Sequence, residues 1–246
     1  MKFVRRNSNY QRLIEDGGSF GGMYMNEWRV ARTNKLIEVF GEDWFKGKLI
    51  LEMGCGFGNV GDYLSGLGAT VHFSDARQEC LDVVKEKNDE YETFLIDQET
   101  DWKHDEFYDL IIHWGLVYNM NYWERDLKKC LSMCKHLTVE TAVNKFIEPI
   151  EYKIVGFEYQ DSLHGPNSLI GSLPSVKLIE NVFDFKGVKH NRYDDIINVS
   201  ECNNNLKYNI EQEPIGDNPK YCILNSWHRN DFAGGRKFWI TTNEYT

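Results

Sequence analysis

The sequence predicts an α/β fold: a doubly wound, mostly parallel sheet of seven strands whose last strand is antiparallel. Three observations carry that expectation. Short apolar runs alternate with helical-period segments along the first 140 residues, the pattern of strand–helix–strand units. The first apolar run, Lys48 to Glu52, meets a glycine cluster directly, as a strand buried on both faces and turning into a helix would. The composition suits a core that needs no staples: 246 residues, 41% hydrophobic and 27% charged, with only 5 Pro.

The elements follow in order. Trp28, Ala31, Leu36, Ile37, Val39 and Phe40 recur at helical spacing over residues 26–41, and Gly41 supplies the stop. Strands are expected at 48–52, 69–74, 92–96, 108–113 and 137–140, with a helix over 77–88. A second helical stripe runs from Asn121 to Lys135 through Trp123, Leu127, Cys130, Leu131 and Cys134. Asn121 and Glu124 have the spacing of a capping box. Beyond it, Pro174 is placed in the first turn of a further helix, and strands are expected at 187–193, 220–226 and 236–242.

The whole chain, 1–246, reads as a single domain. Residues 1–41 form an N-terminal helical lid, hinged at Gly17, Gly18, Gly21 and Gly22. Residues 144–180 form a cover, and the Asn-rich stretch 198–219 is a surface insertion. Met1 to Arg6 places charges as a signal peptide would, but polar Asn7, Ser8 and Asn9 follow instead of an apolar core. No apolar run reaches membrane-spanning length, so a cytoplasmic protein without membrane partners is expected. Net charge is −10, from 28 basic and 38 acidic residues, which argues against bulk nucleic-acid binding. Positive charge nevertheless gathers at Arg5, Arg6, Arg12, Arg29, Arg32 and Lys35. Part of that cluster is expected to serve one acidic group on a ligand. The 6 Cys show no zinc spacing and read as reduced thiols, with no metal expected.

The chemistry concentrates in Glu52-Met53-Gly54-Cys55-Gly56-Phe57-Gly58. Glycines here let the backbone turn sharply and approach a ligand closely. Gly56, Gly58 and Gly61 also satisfy the dinucleotide fingerprint. An acid at Glu52, however, would face a pyrophosphate unfavourably and suits a cationic ligand instead. At the end of the fourth strand stands Tyr108-Asp109-Leu110-Ile111-Ile112-His113-Trp114-Gly115-Leu116-Val117-Tyr118-Asn119.

Both motifs resemble those of the class I S-adenosylmethionine-dependent methyltransferases, a Rossmann-like family. The second is similar to a branch of small-molecule and wobble-uridine tRNA methyltransferases. Here Asn119 stands where that branch has His and Val117 where it has Leu. The resemblance implies S-adenosylmethionine as cofactor, held by Glu52, Gly54, Cys55, Gly56 and Gly58. It also implies Asp75 on the ribose hydroxyls with Ala76 beside it, and Asp97 and Gln98 at the adenine. His113, Trp114 and Tyr118 are expected near the methionine moiety, where aromatic faces suit a sulfonium. Val139-Glu140-Thr141 resembles the branch's fifth-strand end. Glu140 and His164 are the candidate general bases, with His113 a third.

The activity expected is methyl transfer to a small polar acceptor, at oxygen or nitrogen. The alternatives are a tRNA-modifying methyltransferase, an NAD-dependent oxidoreductase and a non-catalytic binding module. No oligomeric state follows from the sequence.

Overall fold

A computed structural model of the chain describes residues 10–14, 23–155, 170–194, 221–223 and 233–244. A seven-stranded sheet runs in the order β3-β2-β1-β4-β5-β10-β8, and a three-stranded sheet in the order β7-β6-β9. The chain groups into two compact units, residues 1–96 with 108–112 and residues 97–107 with 113–246. Strand β4 (Tyr108–Trp114) contributes to both.

The first unit holds α1 (Met23–Phe40), β1 (Leu49–Met53), α2 (Asn59–Ser65), β2 (Thr70–Asp75), α3 (Gln78–Lys87) and β3 (Glu92–Leu95). β1 pairs with β2 in parallel from Leu49↔Thr70, and β2 with β3 from His72↔Glu92. Ile50, Leu51 and Met53 are all buried although successive residues point to opposite faces, which is why the run is apolar without alternation. Asp109 of the fourth-strand motif ties β4 to β1 at their amino ends, accepting from Leu49 N–H at 3.0 Å and Lys48 Nζ at 2.9 Å.

Two of the motif glycines are there for packing. A Cβ on Gly61 would lie 2.3 Å from Phe73 Cε1 and 2.7 Å from Glu52 Oε2, and one on Gly58 would lie 2.8 Å from Val84 Cγ2. Glycine at these sites lets α2 sit down on β2 and α3. The second and third glycines of the dinucleotide fingerprint, Gly58 and Gly61, are thus accounted for by packing.

The second unit holds α4 (Trp123–Ser132), β5 (Cys134–Asn144), β6 (Glu151–Val155), β7 (Ile170–Pro174), α5 (Val176–Lys186), β8 (Lys189–Arg192), β9 (Tyr221–Ile223) and β10 (Ala233–Thr242). β10 is antiparallel to both β5 and β8, as the expected antiparallel last strand requires. β5 runs well past the expected 137–140, because β10 pairs with it from Thr242↔His136 to Ala233↔Asn144. The polar residues Glu140, Thr141 and Asn144 hide that extension from a search for apolar runs.

Two local expectations are corrected. Pro174 ends β7, and Ser175 caps α5 by accepting from Leu178 N–H at 3.3 Å. The Asn121–Glu124 capping box does not form. The N-cap of α4 is Tyr122, and the N–H groups of Asn121 and Tyr122 turn to Glu99 Oε1. The cover region 144–180 contains β6 and β7, with Lys153 Nζ bonded to Asn121 O, Glu151 Oε1 and Ser172 Oγ. No described helix is long and apolar enough to cross a membrane. The insertion 198–219 lies outside the described residues.

Glu52 joins the end of β1 to α2. It is 5% exposed, and its Oε2 accepts from Gly61 N–H at 2.8 Å, satisfying an amide in the helix's first turn. Burial, outweighing the Gly61 hydrogen bond and the positive charge of Arg29, Lys87 and Arg32, raises this carboxyl from an ordinary 4.5 to about 7. An acid raised on folding gives stability that is complete below pH 4.5 and lost as pH rises through about 7. The loss should come to about 3 kcal/mol. Denaturant unfolding between pH 5 and 8 should show this fall, and Glu52→Gln should flatten it. An unchanged slope would mean that Glu52 is not the titrating group.

Candidate functional site

In the first unit the turn after β1 is built around three glycines at positive φ: Gly54 at 57°, Gly56 at 53° and Gly58 at 67°. The conformation of Gly56 is one that a β-branched residue resists. Cys55 N–H donates to Ser74 O at 2.9 Å and Gly58 N–H to Cys55 O at 2.9 Å, so the turn is fastened to the end of β2. Asp75 completes the fastening. Its Oδ2 accepts from Gly56 N–H at 2.9 Å, while its Oδ1 accepts from Arg77 N–H at 3.0 Å and Arg77 Nε at 3.3 Å. Ala76 stands beside it, half-buried. Burial pushes the Cys55 thiol well above its usual range, so it is protonated. Cys80, Cys130 and Cys134 are likewise free and buried.

The members of the basic cluster that lie on α1 are not a solvated face, whereas Arg12 is exposed. Arg29, Arg32 and Lys35 are buried. Arg29 Nη1 donates to Leu13 O at 2.8 Å and Asn26 Oδ1 at 2.7 Å, and the Arg32 guanidinium lies 4.8 Å from the Trp28 ring centroid. Lys35 pairs with Glu38, and Arg12 with Asp62. The turn at residues 10–14 is anchored on α2, where Asn59 Nδ2 donates to Arg12 O. Arg5, Arg6 and the lid glycines 17, 18, 21 and 22 lie outside the described residues.

In the second unit Asp97 follows β3 and is half-buried, with Oδ1 accepting from Glu99 N–H at 2.9 Å. Gln98 is 6% exposed, and its Nε2 is buried with no hydrogen-bond partner among the described residues. Trp114 ends β4 and donates from Nε1 to Thr138 Oγ1 at 2.8 Å, its ring 5.7 Å from that of Phe238.

His113 is placed differently from the expectation. It is fully buried, and its Nε2 lies 2.7 Å from Asp126 Oδ2, whose other oxygen accepts from Trp102 Nε1 at 2.8 Å. Alternation along β4 turns His113 to α4, opposite to Trp114. Its other ring nitrogen, Nδ1, is buried with no hydrogen-bond partner among the described residues. Cys130, one turn on from Asp126, brings a third ligand atom within 4.8 Å, but both Asp126 oxygens are already used as acceptors.

Glu140 is also placed differently. It is 1% exposed, and both its oxygens face Arg236 Nη1, at 2.9 and 3.1 Å. Both carboxylate oxygens are thus engaged by a buried guanidinium. Arg236 continues to Tyr118, donating from Nη2 to its hydroxyl at 3.0 Å with the guanidinium 4.6 Å from the ring centroid. The other candidate base, His164, lies outside the described residues.

Sequence reading missed Arg236, Asp126 and Trp102. Two signals were there to be used. Asp126 falls on the apolar face of α4, three residues after Trp123 and four before Cys130. Arg236 shares a β-period with Phe238 and Ile240. Removing Asp126 strands two buried donors, so Asp126→Ala should cost about 3 kcal/mol or more in urea unfolding. A loss below about 1 kcal/mol would show that the network is not structural.

The fold is similar to that of several solved structures. With the N-terminal domain of EvdMO1 with SAH bound, the TM-score is 0.60 at 13% identity, covering 97% of this chain and 99% of that one. With magnesium protoporphyrin IX methyltransferase from Synechocystis PCC 6803 with bound SAH, it is 0.55 at 13% identity, covering 96% and 93%. With the DhpI–SAH complex it is 0.56 at 14% identity, covering 91% and 87%. Among curated proteins, none is similar to the chain in sequence. The profile of the methyltransferase domain matches residues 25–194, more than half of the chain, which therefore belongs to the methyltransferase-domain family.

Proposed function

We propose that this chain transfers a methyl group from S-adenosylmethionine to a small polar acceptor, at oxygen or nitrogen. The observation that carries this reading is the glycine turn fastened to Asp75. Such a turn brings bare backbone to the carboxyl ends of parallel strands, where ligands bind in this class of sheet. The solved structures of similar fold that contain SAH support it.

The residues fit that cofactor. Asp75 Oδ2 keeps one acceptor site beyond its Gly56 bond, enough for a ribose hydroxyl, while Oδ1 is occupied twice by Arg77. Gln98 Nε2 is a buried donor of the kind an adenine ring nitrogen would satisfy. Arg29 and Arg32 act electrostatically on Glu52, so a ligand carboxylate near the turn would meet positive charge. Trp114 and Tyr118 remain the aromatic candidates for the methionine end.

When bound, S-adenosylmethionine supplies an electrophilic methyl group on a sulfonium. What the chain adds is alignment and exclusion of water. The lid reading of residues 1–41 and the cover reading of 144–180 belong to this proposal. Slower hydrogen exchange on cofactor addition would support the lid, and equal exchange would sink it. A protein of the cytoplasm remains the expected setting.

The tRNA-modifying alternative is disfavoured because Arg29, Arg32 and Lys35 are buried within the first unit. Filter binding to bulk tRNA should show no tight, steeply salt-dependent association. Calorimetry should show S-adenosylhomocysteine binding in the micromolar range, about −8 kcal/mol, with no competition from NAD. Asp75→Ala should weaken it at least tenfold, with a stability loss of about 1–2 kcal/mol from the Gly56 and Arg77 bonds. Gly56→Val should abolish it. Saturable NAD binding without S-adenosylhomocysteine binding would overturn the reading in favour of an oxidoreductase.

A further inference from the structure

We infer that Glu52 senses the charge of the cofactor: it releases a proton when S-adenosylmethionine binds and regains one when the sulfonium has become the neutral thioether of S-adenosylhomocysteine. The inference rests on the methyltransferase reading and concerns how that site tells substrate from product. Glu52 lies near the end of β1, directly before the glycine turn, at the sheet edge where ligands bind. It is 5% exposed and cannot swing away. Its Oε2 accepts from Gly61 N–H at 2.8 Å, and a Cβ on Gly61 would stand 2.7 Å from that oxygen, so the carboxyl is wedged under the first turn of α2. Oε1 makes no hydrogen bond and Glu52 no ion pair among the described residues. A buried carboxyl without a counter-charge favours its neutral form.

The charges around it leave that counter-charge missing. Arg29 of α1 is committed to Leu13 O and Asn26 Oδ1, and Arg32 lies over the Trp28 ring. Lys87 of α3 donates to Phe57 O at 2.6 Å and Asn59 Oδ1 at 3.2 Å. These three act on Glu52 only through space. Of the acids nearby, Asp75 of β2 holds Gly56 and Arg77, and Asp62 of α2 holds Arg12 and Tyr91. The thiols of Cys55 in the turn and Cys80 on α3 are pushed up by burial and are neutral. Burial outweighs the three cations, and Glu52 is poised at about 7. A cation bound at the turn favours its ionised form, so affinity rises with pH through that region. S-adenosylmethionine carries one positive charge more than S-adenosylhomocysteine, so the substrate gains most. Loss of that charge on methyl transfer returns Glu52 to its neutral form and weakens the hold on the product.

The test uses the full chain and calorimetry with S-adenosylmethionine and S-adenosylhomocysteine. The pH range 5.5–7 lies below about 7.7–8.0, where an α-amino group of the ligand titrates. If the complex holds the Glu52 proton tenfold less tightly, affinity for S-adenosylmethionine should rise about fourfold across that range. Phosphate and bis-Tris buffers differ in ionisation heat, and their comparison at pH 6.5 should show release of about half a proton. S-adenosylhomocysteine should release distinctly less. Glu52→Gln, which keeps an acceptor for Gly61, should lose the proton release and the pH dependence. Lys87→Met removes a cation that favours the ionised form, so it should move the pH dependence upward. Proton release that is equal for the two ligands, or that survives Glu52→Gln, overturns the inference. An unmoved pH dependence in Lys87→Met overturns it as well, whatever the fate of Glu52→Gln. Failure of the unaltered chain to bind either ligand overturns the methyltransferase reading instead.

Discussion

Two acids at the ends of adjacent strands hold one glycine turn and the helix that follows it: Asp75 accepts from Gly56 in the turn and Glu52 from Gly61 in the first turn of α2. A turn with three residues at positive φ has little reason to keep its shape unaided, since glycine loses more backbone entropy on ordering than any other residue. The acids supply that reason. They stand on neighbouring parallel strands, and so the pairing of β1 with β2 fixes their spacing and passes it to the turn. The packing of α2 and α3, and the anchoring of residues 10–14 on α2, follow from where the turn delivers the chain.

The same acids were legible in the sequence, but for a different reason. Glu52 was read as a partner for a cationic ligand because of its place before Gly54; its hydrogen bond to Gly61 could not be seen, since nothing in a linear string says that residue 52 reaches back over residue 61. Apolar runs located β1 to β4 and the helices α1, α3 and α4 well. They failed where pairing, not composition, makes the strand: β5 is extended by its partnership with β10, and β6 lies in a polar stretch. Pro174 was misplaced because a proline suits a helix's first turn and a strand's last residue equally well.

The second unit shows a harder limit. Its buried polar groups work in chains, His113 with Asp126 and Trp102, and Glu140 with Arg236 and Tyr118. Each was singled out, where it was singled out at all, as a separate chemical group. A strand-end glutamate is a candidate base in isolation, and its buried guanidinium partner is invisible from its own position in the sequence. The opposing residue decides, and it is brought there by topology. The motif puts His113 at the end of β4, but that its Nε2 meets Asp126 of α4 follows only from the pairing of strand and helix.

The placement of β10 carries a consequence for how the chain is made. It lies between β5 and β8, yet it follows both in sequence, and Arg236 is 96 residues beyond Glu140. During synthesis the ribosome releases β5 with an acid that lacks its Arg236 counter-charge and with the edge opposite β4 unpaired. For the time needed to translate the intervening residues, about 5–20 s at ordinary elongation rates, that half of the sheet is unfinished. Closure of so long a loop is intrinsically slow, so the nascent second unit depends on delay, dilution or a chaperone to escape pairing with the wrong strand. In the first unit β1, β2 and β3 are neighbours in both sequence and sheet, so that part has no such wait.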